Sequence, residues 1–380
     1  MVLIPLRRVA AALLVAAAST LPGLAQALTL PPSGDNQMAS VTQHLGLVTV
    51  TVTYSSPRVH RDGQDRTGKI WGELVPYGLA DLGFNDCKEC PWRAGANENT
   101  TFTVSHDVTV QGQPLPAGTY GLHMIPGPKA FTLIFSKDAG AWGSYWYEPK
   151  LDALRVDAKP VKTDFHEYLS YDFLEREPDR AVLALQWETL RIPFTIAVPD
   201  GFELYFQNLK RQLHGAAGFN SSELLAAAQF TLRSGKHLEE GLVWAQRALS
   251  APFVGQENFQ TLATLGQFQL ATGKGAEADA TLARAIAFPG AKPTDGHQLG
   301  RALLQQGKSE AALKVFQANA KRFPNQWPVN VGLARGYAAT GNPAKAQEFA
   351  KLALAQAPDE GNRKSLEALL QQLKSGTVPK

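Results

Sequence analysis

The pattern of hydrophobic and polar residues changes its period near residue 200. Between residues 39 and 199 the two kinds alternate, as in LVTVTVTYSSP, where Val48, Val50 and Val52 fall on one side of an extended chain. A period of two residues is typical of strands that bury one face. We therefore predict eight or so short strands, forming an all-β antiparallel sandwich or jelly-roll-like domain.

Turn-forming residues divide this first half into strands. The segment TTFTVSHDVTVQGQPLPAGTYGLHMIPGPKAFTLIFSKD is predicted to contain four short strands, separated by Gln111-Gly112, by LPAG and by PGP. Glycine and proline favour the backbone angles that tight turns require. The later segment RAVLALQWETLRIPFTIAVPD is predicted to form a strand, a short break and a second strand.

The second half of the chain repeats itself with a helical period. Similar glycine-containing segments follow one another at spacings of 38, 34 and 34 residues. Their glycines are Gly235, Gly273, Gly307 and Gly341. A leucine followed by a small residue precedes three of these glycines, at Leu265, Leu299 and Leu333. The pattern resembles the tetratricopeptide repeat, in which small residues stand where two helices cross.

This resemblance predicts an all-α helical repeat array over residues 218–374, after a linker helix over residues 200–217. The amphipathic segment NRKSLEALLQQLKSG would cap the array, and residues 375–380 would form a tail. Each helical hairpin buries its apolar face only by stacking on its neighbours. The unit around Gly235 departs from the pattern by one residue and is expected to be a degenerate cap. A generic helical bundle is the alternative.

The first 27 residues are predicted to be a secretory signal peptide. Two arginines at positions 7 and 8 precede an apolar run over residues 9–18, and small residues end at Ala27. The run is too short to span a membrane. We expect cleavage near Ala27, a flexible segment over residues 28–38, and a soluble protein in the periplasm or outside the cell. The alternative is a buried N-terminal helix.

Charge and known motifs exclude several classes of function. The chain has 37 basic and 34 acidic residues, and the basic ones are scattered rather than grouped in a stripe. Nucleic acid is therefore not an expected partner. The sequence contains none of the common nucleophile, nucleotide-binding or zinc-protease motifs, and no cofactor is predicted.

Several motifs between residues 39 and 198 resemble those of a known family. In chain order they include VTYSSP, WGELVPYG, WRAGANE and LPAGTY. This order resembles the bacterial domain-of-unknown-function family 2911. The resemblance implies an exported bacterial protein that is often joined to other modules. It implies no activity, and no functional residue is transferred from it.

The two cysteines of the chain, Cys87 and Cys90, lie in a loop that separates two of these motifs. In the family pattern the two motifs often lie close together, so the cysteines are not expected to serve a role common to the family. An exported protein favours their oxidation, and we predict a small disulfide that staples the loop. A redox couple and half of a metal site are the alternatives.

A polar stretch after the cysteines is the first candidate for a ligand site. It contains Trp92, Arg93, Asn97 and Glu98. Arg93 is a candidate anion clamp, and Glu98 is a candidate general base. The structural alternative is an internal ion pair between Arg93 and Glu98 that organises the loop.

Histidines and aromatic residues give further candidates in the β domain. His60, His106 and His123 are weak candidates for a metal site, although their spacing differs from that of jelly-roll metal sites. His123 is also a candidate ligand-binding residue, since it alternates with Leu122 and Met124 and is expected to point out of the core. The segment WGSYWYEP is expected to pack over the sheet rather than form an aromatic platform.

The function predicted from the sequence is that of an exported, non-catalytic binding protein. The helical repeats would bind a protein or peptide partner. The β domain would bind a ligand, such as a glycan or another envelope component, or act as a structural module. The alternative is a hydrolase or metal-dependent enzyme that uses Arg93, Glu98 and the nearby histidines.

Overall fold

The computed structural model describes residues 35–84 and 87–375. The predicted signal peptide, residues 28–34 of the predicted flexible segment and residues 376–380 of the predicted tail lie outside these residues. The first strand begins at Gln37, inside the segment predicted to be flexible. The chain divides into two compact units, Met1–Pro199 and Asp200–Lys380. Strands form the first unit and helices form the second. The predicted fold class, an antiparallel β domain followed by a helical repeat array, is confirmed.

The first unit contains twelve strands among its described residues. In chain order they are β1 (Gln37–Leu45), β2 (Val48–Ser56), β3 (His60–Arg61), β4 (Gln64–Asp65), β5 (Ala96–Val104), β6 (Val108–Val110), β7 (Gln113–Leu115), β8 (Gly118–Ile125), β9 (Phe131–Ser136), β10 (Asp152–Ala158), β11 (Val161–Arg176) and β12 (Arg180–Ala197). They pair antiparallel in a six-stranded sheet (β1-β2-β5-β8-β9-β10), a four-stranded sheet (β11-β12-β6-β7) and the short β3-β4 ladder.

Apolar side chains fill the space between the two larger sheets. Val48, Val50 and Val52 of β2 are fully buried, as their alternation predicts. The ring of Phe194 on β12 lies 6.5 Å from that of Phe102 on β5. It lies 6.4 Å from the ring of Phe135 on β9. These rings join the six-stranded sheet to the four-stranded one.

Two segments whose strands were predicted from the sequence differ in the structure. Five strands, rather than four, lie between Ala96 and Ser136, because the chain leaves the six-stranded sheet after Val104 and joins the four-stranded sheet at Val108. The segment expected to break into two strands is one long strand, β12. Its pairing with β11 shifts near Glu188, whose φ is +54°, so a local irregularity takes the place of the predicted break.

The second unit contains ten α-helices among its described residues. They are α1 (Gly201–Gln212), α2 (Ser221–Ser234), α3 (Leu238–Ser250), α4 (Phe259–Ala271), α5 (Gly275–Ala287), α6 (Pro293–Gln305), α7 (Ser309–Arg322), α8 (Trp327–Ala339), α9 (Pro343–Ala355) and α10 (Glu360–Lys374). Four successive hairpins, from α2-α3 to α8-α9, form the array. No helix of the described residues is long and apolar enough to cross a membrane.

The recurring glycines mark the turns inside these hairpins. Gly235, Gly273, Gly307 and Gly341 all have φ between +70° and +80°. This left-handed conformation ends a helix at little cost only when no Cβ is present. The repeat seen in the sequence is therefore the repeat of a helix-ending turn.

Glycines inside the helices allow neighbouring helices to approach closely. A Cβ on Gly300 of α6 would overlap the ring of Phe316 on α7. Gly332 and Gly336 of α8 lie against the same ring. Phe316 itself is buried in a cluster that contains residues of α4 to α8. This ring joins the α6-α7 hairpin to the α8-α9 hairpin.

Candidate functional site

Two kinds of contact close the loop over residues 79–91, which we call the cysteine loop: backbone hydrogen bonds and the pair of cysteines. The sulfur atoms of Cys87 and Cys90 lie at disulfide distance. Cys90 and Ala80 exchange two backbone hydrogen bonds of 3.0 Å. The two sulfur atoms are thus close enough for a disulfide, and the described part of the surrounding segment has no helix that could activate a thiol.

Trp92 is a packing residue rather than an exposed contact. Its backbone exchanges two hydrogen bonds of 2.8 Å with Met124 of β8. Its ring stacks on Trp187 at a centroid distance of 6.4 Å and meets Trp71 edge to face at 5.7 Å. These contacts anchor the start of the polar stretch to the sheet.

Arg93 and Glu98 do not form the internal ion pair considered from the sequence. Among the described residues, Arg93 donates one hydrogen bond, from Nη1 to the carbonyl of Asn97, and joins no carboxylate. Its guanidinium carbon lies 4.8 Å from the centre of the Tyr145 ring. Glu98 instead accepts a hydrogen bond of 3.1 Å from Ser55 Oγ. The two side chains predicted to act together therefore have different partners.

Asn97 shapes the backbone to which Arg93 is bound. Its φ is +55°, a left-handed conformation that asparagine adopts more readily than most residues. Its Oδ1 accepts a hydrogen bond of 3.1 Å from Asn36 Nδ2. Asn97 thus holds a turn that points its carbonyl at Arg93.

The three candidate metal-binding histidines do not come together. His60 lies on β3 with its Nδ1 2.7 Å from Glu167 Oε2, and His106 bonds to its neighbour Ser105. His123 is buried on β8. Over the described ranges, no group of three or more His, Cys, Asp or Glu side chains could hold a metal ion. The three histidines considered as weak metal candidates therefore have separate partners, and the enzymatic alternative loses the convergence on which it depended.

His123 lies on the opposite face of β8 from Leu122 and Met124, as its alternation predicts, yet it is only 2 % exposed. The segment after β9 covers it, and Ser144 Oγ lies 2.8 Å from His123 Nδ1. Burial, and secondly the charge of Arg93, lower the pKa of His123 to about 4. The imidazole is therefore neutral at pH 7.

A small polar cluster surrounds His123 that the sequence did not indicate. Asn99 Nδ2 donates a hydrogen bond of 3.1 Å to the carbonyl of Asp138. Asn99 Oδ1 is buried and has no partner among the described residues. A Cβ on Gly121 would lie 2.6 Å from that carbonyl and 3.2 Å from His123 Nε2. A glycine inside strand β8 was the available signal, because it marks a close approach.

The aromatic segment after β9 is more exposed than predicted. Trp142 is 51 % exposed and Trp146 is 49 % exposed. Phe84, from the cysteine loop, is 59 % exposed and meets the Tyr145 ring edge to face at 5.3 Å. The expectation that this segment packs over the sheet is wrong for its two tryptophans, because the segment covers His123 with its backbone, Ser144 and Tyr147. We call Phe84, Trp142, Tyr145 and Trp146 the aromatic surface.

A second polar feature lies on the helical repeats. Arg301 of α6 is exposed, and Arg335 of α8 is half-buried. Neither guanidinium forms an ion pair or hydrogen bond within the described part of the chain. Burial, and secondly the positive charge of Arg301, lower the pKa of Arg335. The two cations are therefore close enough to repel each other.

His297 completes this group, which we call the arginine cluster: His297, Arg301 and Arg335. His297 is one helical turn before Arg301. Burial, followed by the charges of the two arginines, lowers the pKa of His297 to about 4, and its Nδ1 is buried without a partner among the described residues. The imidazole adds no charge at pH 7, so the cluster carries two positive charges.

Negative charge is scarce on the helices that carry this cluster. The first helices of three hairpins, α4, α6 and α8, contain one carboxylate among their residues, Asp295. Asp295 accepts a hydrogen bond of 2.8 Å from the backbone of Lys292 and so caps its own helix. The sequence contained a signal for this cluster, since Arg301 and Arg335 each stand two residues after the repeated leucine.

The fold therefore defines an antiparallel β domain joined to a helical repeat protein. Residues 36–196 match the profile of the family described as "Protein of unknown function (DUF2911)". Residues 303–370 match the profile described as "Tetratricopeptide repeat". The β domain thus resembles the DUF2911 family and the helical array resembles the tetratricopeptide repeat, so the resemblance inferred from the sequence is confirmed.

Solved structures resemble part of the chain. MamA is 16% identical, with 41% of this chain and 88% of that chain covered at a TM-score of 0.30. YrrB, described as a TPR protein with an unusual peptide-binding site, is 20% identical over 44% of this chain and 84% of its own, at 0.29. A thermophilic TPR protein of Thermus thermophilus, TTC0263, is 17% identical over 45% and 91%, at 0.31. No curated protein matches the chain.

Proposed function

We propose that the chain is an exported, non-catalytic interaction protein whose helical repeats bind an acidic segment of a protein or peptide partner. The repeat class supports a role in protein interaction. One observation supports the acidic character of the partner. The charge of Arg301 on α6 lowers the pKa of Arg335 on the neighbouring helix α8, and neither arginine has an acidic partner among the described residues.

Electrostatics favours a carboxylate at this position. Two neighbouring cations, one of them half-buried, are less stable than the same cations with a counter-charge. Arginine binds carboxylates through two parallel hydrogen bonds, which gives direction as well as attraction. An acidic side chain or a chain terminus placed between the guanidinium groups would therefore be recognised without competition from carboxylates on α4 and α8.

Peptide binding to charge variants tests this function. A fluorescent ten-residue peptide rich in Glu and Asp is titrated with the full chain, and fluorescence anisotropy gives Kd. Arg301→Gln and Arg335→Gln are each expected to weaken binding by about tenfold, and raised salt should weaken binding to the unaltered chain.

Arg363→Gln on α10 is the matched control, since Arg363 already has Glu360 3.8 Å away. It should leave Kd unchanged. A peptide of the same length rich in Lys should not bind. Equal affinity of the acidic peptide for all three variants and the unaltered chain would rule out the arginine cluster as its site.

Two further parts of the proposed function, export and ligand binding by the β domain, rest on observations other than the arginine cluster. Export is proposed from the pattern of residues 1–27, and mass measurement of the protein recovered from its native cell envelope should give a chain that starts after Ala27. The β domain is proposed to bind a ligand. Its polar residues and aromatic surface support this role.

A further inference from the structure

We propose that Arg93 and the aromatic surface bind a small organic carboxylate that carries an apolar ring. This site gives a ligand class to the ligand-binding role proposed for the β domain. It involves none of the residues of the arginine cluster, so the two can be tested separately.

The guanidinium of Arg93 is held in place without being neutralised by any described residue. Its carbon lies 4.8 Å from the centre of the Tyr145 ring, and Nη1 donates to the carbonyl of Asn97. A guanidinium has five N–H donors. Among the described residues that one bond is the only hydrogen bond Arg93 makes, and it has no ion pair. Stacking and one bond therefore fix a planar cation whose other donors are available to a ligand.

Gly143 lies in close contact with the guanidinium group of Arg93. Its φ is +64°, and a Cβ at this position would overlap the guanidinium group of Arg93. The backbone of the segment after β9 thus lies directly against the side chain. Such a fit orients the planar group, and orientation is what allows a carboxylate to bind through two parallel hydrogen bonds.

Within the described ranges, neighbouring groups leave the positive charge of Arg93 uncompensated. His123, whose pKa it lowers, is neutral at pH 7. Glu98 accepts a hydrogen bond from Ser55 and forms no ion pair with Arg93, and Lys88 on the cysteine loop is paired with Asp81 at 3.3 Å. A ligand carboxylate would therefore be the charge partner of Arg93.

Exposed aromatic rings beside Arg93 are the reason for proposing that the ligand carries an apolar ring. Tyr145, on which Arg93 stacks, contacts Phe84 at 5.3 Å and Trp146 at 6.1 Å between ring centres. Phe84 and Trp146 are about half exposed. Aromatic side chains that remain exposed together beside a fixed polar group are the usual components of a ligand site. A flat apolar ring would bury these faces while its carboxylate reaches Arg93.

Calorimetric titration of the full chain with indole-3-acetate tests this site. Indole-3-ethanol, which has the same ring and no charge, is the matched probe. Binding of the acid and at least tenfold weaker binding of the alcohol is the expected result. Equal binding of both probes, or no binding of the acid, would overturn the assignment to a carboxylate. Stronger binding of phenyl phosphate than of phenylacetate would overturn it as well.

Variants locate the site. Arg93→Met should abolish binding of indole-3-acetate, and Arg93→Lys, which keeps the charge but loses the planar fork, should weaken it at least fivefold. Lys88→Met removes a cation of the cysteine loop that is already paired with Asp81 and should change nothing. Undiminished binding by Arg93→Met would exclude Arg93.

Two further variants separate a binding role from a structural one. Gly143→Ala displaces the guanidinium and should weaken binding, whereas Gly140→Ala, where a Cβ meets open space, should not. Trp146→Ala changes an exposed ring and should weaken binding without lowering the unfolding midpoint. All of these variants should bind the acidic peptide as tightly as the unaltered chain does. Loss of carboxylate binding by the β domain can therefore be distinguished from loss of peptide binding by the repeats.

Discussion

His123 illustrates how its surroundings set the charge of one residue. Its pKa is lowered to about 4 because it is buried and, secondly, because Arg93 is positive. The unfolded chain binds its proton near pH 6.5. As pH falls from 6.5 towards 4, the unfolded state takes up a proton that the folded state does not, and the stability of the folded β domain declines.

Replacing His123 should therefore make the β domain less sensitive to acid. We expect His123→Gln, which keeps a group able to bond to Ser144, to reduce the loss of unfolding free energy between pH 7 and pH 4.5 by about 2 kcal/mol. Urea unfolding followed by tryptophan fluorescence at both pH values measures this. An identical loss in the variant and the unaltered chain would show that His123 does not cause it.

The sequence predicted the positions of single residues better than their partners. Alternation placed His123 on the face away from Leu122 and Met124, because a strand repeats every two residues. It did not predict Ser144 above it, since a loop that folds back over a sheet has no periodicity. For the same reason the sequence did not predict that Arg93 stacks on Tyr145, since the two residues are 52 positions apart.

At the scale of elements, close contacts between helices depend on glycines such as Gly300, which follows the repeated Leu299 in the sequence. Gly300→Ala should destabilise the repeats by about 1–3 kcal/mol, because its Cβ would overlap Phe316 and force α6 and α7 apart. The measurement is urea unfolding followed by circular dichroism at 222 nm.

Gly275→Ala at the start of α5 is the matched control. A Cβ there meets nothing within 4 Å, so the exchange should be neutral or stabilise the repeats by up to about 1 kcal/mol. If the two variants lost stability to the same degree, crowding at Phe316 would not be the cause.

Strand boundaries were harder to predict than helix boundaries. A helix-ending glycine leaves a mark at each turn, whereas the passage from β5 to β6 occurs at Ser105, His106 and Asp107 without glycine or proline. There Asp107 Oδ1 accepts a hydrogen bond of 2.8 Å from the backbone of Ala117, which ties this passage to the segment before β8. Strand β11 was not predicted, since its polar and exposed side chains mask the alternation.

At the scale of the whole molecule, each unit has its own buried core. Large side chains such as Trp187 and Phe135 are buried in the first unit, and Phe268 and Phe316 are buried in the second. We expect fragments 35–199 and 200–375 to fold separately, each with one cooperative transition.

Calorimetry of the two fragments and the full chain measures this independence. The transitions of the fragments should reproduce two transitions of the full chain within a few degrees. A fragment with no cooperative transition would show that its core is insufficient without the rest of the chain.

The contacts of Phe316 also restrict how the repeat array can change in evolution. The ring fits against Gly300 in its own hairpin and against Gly332 and Gly336 in the next one. A larger residue at any of the three glycines needs a smaller one at position 316, so these four positions should vary together among homologues. Loss of a single repeat at this point would separate the ring from its glycines, and such deletions should be accepted only with a compensating exchange.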